Sequence, residues 1–147
     1  MKKLLMGMIL FILLLPACSA STPVASQAGI EVFDPFAHTA GAGESTAAYM
    51  KIKNSGTEAD VLLNATCDEA MMVQVMESMM MAGDVMSMGD VAGIDLPPGK
   101  SVELRSGSYH IMLMDLKQEL KDGSTISITL EFEKAGKLTL QVPVKAP

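Results

Sequence analysis

Histidine, cysteine and positive charge are scarce in this 147-residue chain, which has two histidines, two cysteines, and 11 basic against 17 acidic residues. Each shortage removes a class of function. A blue-copper electron carrier needs two histidines, a cysteine and usually an axial methionine. Here only His38 and His110 are available, and Cys67 lies upstream with no ligand following at close spacing. A zinc site would want more His, Cys or carboxylate at finger-like spacing. The glycine-rich piece Gly41-Ala42-Gly43 has no lysine and no following helix, so it is no phosphate cradle. No nucleophile elbow occurs either. The net charge of −6 falls by two more, to −8, without Lys2 and Lys3. Such a body gives nucleic-acid phosphates no electrostatic reason to bind.

Long apolar runs are missing too. The stretch from Leu4 to Leu15 is too short for a membrane span, but it follows Lys2 and Lys3 and precedes Leu15-Pro16-Ala17-Cys18. A charged start, a short apolar segment and small residues before a cut describe a secretory signal. The tetrapeptide ending in Cys18 resembles a bacterial lipobox, in which that cysteine is lipidated and becomes the first residue of the mature protein. Pro16 is not the usual lipobox residue, and simple cleavage near Ala20 is the alternative. The expected organisation is a signal peptide over 1–17, a flexible Ser/Thr/Pro/Ala/Gln tether over 18–29, and one domain over 30–147. With Cys18 carrying lipid, Cys67 stands alone and no internal disulfide forms. Cys67 is expected to be a small buried side chain rather than a reactive thiol or ligand.

Period-two alternation recurs along the domain. Ala48, Met50 and Ile52 share one face before the turn Asn54-Ser55-Gly56, and Val61 and Leu63 follow. Ile126, Ile128, Leu130 and Phe132 alternate with polar residues, then Ala135-Gly136 turns the chain into Leu138, Leu140, Val142 and Val144. Short strands with regular turn signals, no heptads and no internal repeat predict an all-β sandwich. Residues 70–81 are ambiguous. Thr66-Cys67-Asp68-Glu69 has capping-box form, and Met72, Met76, Met79 and Met80 follow at helical spacing, which predicts a short helix. The rival strand register puts Val73 and Val75 inward. His38 is expected in an exposed Gly/Ala loop, unliganded.

What the chain has in surplus is methionine: 14 in all, ten of them between Met71 and Met114. As a strand, Tyr109 to Leu116 puts Tyr109, Ile111 and Leu113 on one face and His110, Met112 and Met114 on the other. Half-buried strands ordinarily set polar residues opposite the core. A methionine left in water forgoes roughly 1.5–3 kcal/mol of burial. Met86-Ser87-Met88 repeats the spacing on another segment. Thioethers are soft, neutral donors that cannot form disulfides, and with imidazole they suit Cu(I) in an oxidising compartment. Two other readings stand beside this one. The methionines could fill gaps in a core with His110 a satisfied polar residue, or form an adaptable surface for a protein partner.

Four stretches resemble the periplasmic copper chaperones that supply the copper A centre of cytochrome c oxidase. They are Ala47-Ala48-Tyr49-Met50 with Asn54-Ser55-Gly56, Gly83 to Met88, Gly93-Ile94-Asp95-Leu96-Pro97-Pro98-Gly99, and Tyr109 to Met114. The end Val142-Pro143-Val144 fits as well, so the resemblance covers about 30 to 145. The family motif is His, ten residues, Met, twenty-one residues, His-x-Met, and Met88, His110 and Met112 match its last three positions. The first position departs. Val73-Gln74-Val75-Met76 stands where the family has Val-Glu-Leu-His, and eleven residues separate Met76 from Met88. His38 also replaces an arginine common in that family.

The resemblance implies a cupredoxin-like β-sandwich and favours a strand over 70–81. It implies one Cu(I) held by Met76, Met88, His110 and Met112, with Met79, Met86 and Met114 as secondary donors. Glu77, Met79 and Met80 compete with Met76 for the first position, though a carboxylate suits Cu(I) poorly. With methionine in place of a histidine, the site should lean further toward Cu(I), and its binding should depend less on pH. The expected protein is a monomeric, non-enzymatic, lipid-anchored extracytoplasmic chaperone with the oxidase copper A domain as acceptor. The alternatives are a copper-sequestering or resistance protein, and a β-sandwich interaction module without metal.

Overall fold

The computed structural model describes residues 21–81 and 85–147; the expected signal and Cys18 lie outside them. Every regular element among the described residues is a strand. In chain order they are β1 (Ala25–Gln27), β2 (Ile30–His38), β3 (Thr46–Asn54), β4 (Asp60–Cys67), β5 (Ala70–Met81) and β6 (Val85–Asp90), followed by β7 (Ile94–Leu96), β8 (Ser101–Leu104), β9 (Tyr109–Leu116), β10 (Thr125–Phe132) and β11 (Gly136–Lys145). β1 lies within the segment whose composition suggested a tether, and it pairs with β2.

Two layers make the sandwich. One runs β6-β5-β9-β3-β2, with β8 on β3 and β1 on β2; the other runs β11-β10-β4-β7. A short parallel seam, Val144 with Ala37 and Lys145 with His38, joins the layers through β11 and β2. The alternating faces expected for β3, β10 and β11 pack as the core. Ala48, Met50 and Ile52 are buried opposite Ile126, Ile128, Leu130 and Phe132, with Leu138, Leu140, Val142 and Val144 completing the same face. Ile111 and Leu113 of β9 are fully buried there as well.

Three local readings are corrected by the structure. Residues 70–81 form a strand, not a helix: β5 pairs antiparallel with β9 from Ala70–Leu116 to Glu77–Tyr109 and with β6 from Met76–Asp90 to Met81–Val85. Two ladders of backbone hydrogen bonds outweigh a local helical pattern of methionines. On β4 the inward residues are Leu62, Ala65 and Cys67, while Val61 and Leu63 face out. A register shift between Glu131 and Phe132 lets Leu62 pair with Phe132 and Asn64 with Glu131, so Leu63 is the extra residue of a bulge. His38 ends β2 and is half-buried, not an exposed loop residue. A bulge at Asp34-Pro35, with Asp34 at φ 48°, switches the inward parity of β2. Ile30 and Val32 face in before it and Ala37 after it, so Phe36 and His38 turn outward against Tyr49. Proline suits that position because a bulge leaves its missing N–H unneeded.

Asp60 anchors the far end of the sandwich. Its carboxylate is buried and accepts backbone N–H groups from Val61, Lys134 and Ala135 at 2.8–2.9 Å, tying β4 to the β10–β11 turn. Burial alone would raise its pKa, but the three donors prevail and hold it below the usual aspartate value. Asp60→Ala should destabilise the fold by roughly 2–4 kcal/mol in urea melts, because charged hydrogen bonds are lost and buried donors are stranded. With a depressed folded pKa, Asp60 contributes stability above its unfolded pKa and loses it as pH falls through the folded value. The difference between wild type and Asp60→Ala should therefore shrink in melts below the ordinary aspartate pKa.

Candidate metal centre

The antiparallel register of β5, β6 and β9 decides which side chains meet. Met76 lies opposite His110, Gln74 opposite Met112, and Met72 opposite Met114. Across β6, Met76 faces Asp90 and Ser78 faces Met88. Since strand side chains alternate, Met72, Gln74, Met76, Ser78, Met88, His110, Met112 and Met114 share one face. That face is the outer one, because Ile111, Leu113 and Val75 of the other parity are core residues.

Within it a shallow cavity of about 280 Å³ is lined by Tyr49, Ser78, Met86, Met88, His110 and Met112, among others. His110 is only 4% exposed, whereas Met86 and Met88 on edge strand β6 are 57% and 55% exposed. The floor is thus an imidazole and the rim is thioether. His110 Nδ1 lies 3.0 Å from the Ser108 carbonyl oxygen, which can only accept, so Nδ1 carries the hydrogen. Nε2 is left with its lone pair available, the ring orientation fixed by the backbone as second partners of metal-binding histidines do. The hard donor beside Met76 on this face, Asp90, accepts a 2.9 Å hydrogen bond from Gln74 Nε2. Among the described residues no three His, Cys, Asp or Glu side chains cluster, so a metal held here must rely on thioethers.

The sequence-predicted donors divide clearly. Met86, Met88, His110 and Met112 line this same cavity. Met76 sits opposite His110 on the same face but is not part of the cavity lining. Met80 stands opposite Met86 in register. Met114 lies one step further along β9, outside the cavity. Met79 and Glu77 have the opposite parity on β5, and the structure does not bring them to the His110 face. Glu77 instead lies against the Tyr109 hydroxyl, where burial first and then that carboxylate raise the phenol pKa. Tyr49 and Ser78 are cavity residues not expected as site residues; Tyr49 lies in a stretch that carries the family resemblance, Ser78 in none, and the strand register brings both there.

His38 and Cys67 stay apart from this chemistry. The His38 ring meets Phe36 and Tyr49 edge-on, centroids 5.5 Å away in each case, and its Nδ1 is buried without a hydrogen-bond partner. Cys67 is buried in the core, its Sγ donating to Glu69 Oε2 at 3.1 Å. Burial, then that hydrogen bond, push the thiol pKa up to about 12. A thiol so weakly acidic supplies no thiolate at neutral pH. Cys67 should resist iodoacetamide at pH 8 in the native chain and react on unfolding in urea, which mass spectrometry after timed quenching will show.

Comparison with known proteins bears directly on this arrangement. The model of the family described as "Putative lipoprotein LpqE-like" matches residues 30–144. A protein of Leifsonia xyli subsp. xyli, described as "Putative lipoprotein Lxx21020", is 36% identical over 131 residues, 89% of this chain and 78% of its own length. Among solved structures, the copper-bound PCuAC domain from PmoF2 superposes with a TM-score of 0.68 at 28% identity, over 83% of this chain and 97% of that domain. The solution structure of CuI-DR1885 from Deinococcus radiodurans gives 0.57 at 28% identity, over 88% and 83%.

Proposed function

Because the chain belongs to the LpqE-like lipoprotein family and folds as a PCuAC-type β-sandwich, we propose that it is an extracytoplasmic copper chaperone holding one Cu(I). The observation that carries this reading is one cavity lined by Met86, Met88, Met112 and a buried, backbone-oriented His110 whose Nδ1 is engaged by Ser108. The ligands are Met76, Met88, His110 and Met112, with Met86 at the rim as neighbour or substitute. The similarity to a copper-bound PCuAC domain and to a Cu(I)-loaded protein supports the same assignment.

Soft neutral donors favour the monovalent ion over Cu(II), and of the four only the imidazole must be unprotonated. Release proceeds by ligand exchange. The exposed thioethers of β6 are the first that an incoming donor can displace, while His110 at the floor lets go last. No catalytic step is assigned to the chain. Cys18 is the lipid attachment point, in keeping with the lipoprotein description of the Leifsonia relative, and holds a monomer at the membrane surface. There the copper A domain of cytochrome c oxidase is the acceptor.

Anaerobic titration should give one tightly bound Cu(I), weakened at least ~10-fold, about 1.4 kcal/mol, by His110→Ala or by Met88→Ala. Unchanged binding in both variants refutes the site. X-ray absorption of the complex should count more sulfur than nitrogen neighbours. Separate Cu(I) and Cu(II) titrations from pH 5 to 8 should show tighter Cu(I) throughout, with a shallow pH slope due to one imidazole. Tighter Cu(II) binding contradicts the donor set. Transfer of the ion to a purified oxidase copper A domain separates a chaperone from a sequestering protein, which retains it.

A further inference from the structure

Met72 and Met114 face each other directly across β5 and β9, one pair beyond Gln74–Met112, and neither lines the His110 cavity. Both lie on the same outer face; Met72 is 55% exposed and Met114 half-buried. Directly opposed side chains on one face have Cβ atoms about 5 Å apart, so two flexible thioethers there can close on a single small ion. Met112 precedes Met114 by two residues, about 7 Å along the strand, and lies diagonally across from Met72. An exposed apolar pair on β strands is better served by β-branched side chains, which favour the pleated backbone. Sulfur in both positions is what distinguishes this pair from ordinary sheet packing.

We propose that Met72 and Met114, sharing Met112, form a second Cu(I) site beside the one centred on His110. The inference rests on the copper reading above and extends it. With no imidazole the second site is all thioether, weaker, indifferent to pH and unable to hold Cu(II). The ion moves between the two stations when Met112 keeps its sulfur–copper bond while the bonds to Met76, Met88 and His110 break and those to Met72 and Met114 form. Copper stays monovalent, and neither a proton nor an electron is transferred. The second station lies away from the β6 rim, so it offers a separate exit toward a partner.

The full chain, with carbon-13 methyl-labelled methionines, should be titrated anaerobically with Cu(I) alone and followed by NMR and chelator competition. The first equivalent should move the Met88 and Met112 methyl signals. The second, binding more weakly, should move Met72 and Met114 and shift Met112 again. M72L/M114L should take up one equivalent with unchanged first affinity, and His110→Ala should retain the weaker site. A single equivalent in the native chain, lost in His110→Ala, overturns this inference and leaves the chaperone reading standing. Two equivalents retained in M72L/M114L, or second-step shifts that spare Met72 and Met114, overturn it too. No Cu(I) uptake at all removes both readings.

Discussion

The pairing of β5 with β9 governs the chemistry of this protein. One register sets Met76 against His110, Gln74 against Met112 and Met72 against Met114, and it simultaneously drives Val75, Ile111 and Leu113 into the core. A slip of one residue would exchange the two faces, turning imidazole and thioethers toward the core and the aliphatic residues away from it. The core therefore enforces the donor arrangement: burial of three apolar side chains fixes the parity that gathers the soft ones outside. Glu77 and Met79 fall on the other face by the same rule, which keeps a hard carboxylate away from the imidazole.

The rest of the sandwich serves to hold that register. β9 is flanked by β3, whose Thr46, Ala48 and Met50 are buried, while Ala47 and Tyr49 look outward beside the His110 cavity. The bulge at Asp34-Pro35 places Phe36 and His38 against Tyr49, so an aromatic group supports the cavity wall from the neighbouring strand. At the opposite end, the three backbone donors on Asp60 close the second layer where β4 meets the last hairpin. Burying a carboxylate there is tolerable because its hydrogen-bonding capacity is met by the chain itself.

Exposure is graded across the centre. His110 is buried and its ring is fixed by the Ser108 carbonyl, whereas the methionines of β6 are more than half exposed on an edge strand. Rigid nitrogen below and adaptable sulfur above are what the proposed role, retaining and then surrendering an ion, would need. Exchange among thioethers requires no proton uptake, so in the proposed site only the imidazole would couple binding to pH. The solved PCuAC domains share this fold, and the chain departs from the motif of the family it resembles in Met76 and in the eleven-residue spacing from Met76 to Met88.

Several features were legible from residue order because they depend on spacing alone. The alternation of Ile126 to Phe132 and of Leu138 to Val144 predicts a buried hairpin face, and His110, Met112 and Met114 must share a face once Tyr109 to Leu116 is a strand. Other features depend on partners distant in sequence. Whether Ala70 to Met81 is a helix or a strand turned on β9 and β6 being present to pair with it, since the local methionine pattern suits both. The parity of Leu62 over Leu63 was set by a bulge against β10, and the turning of His38 by a bulge against β3. The sequence by itself determined the soft character of the donors and which of them share a strand. Only the tertiary structure decided which strands lie side by side, because hydrogen-bond register between separate segments is a cooperative property of the whole sheet.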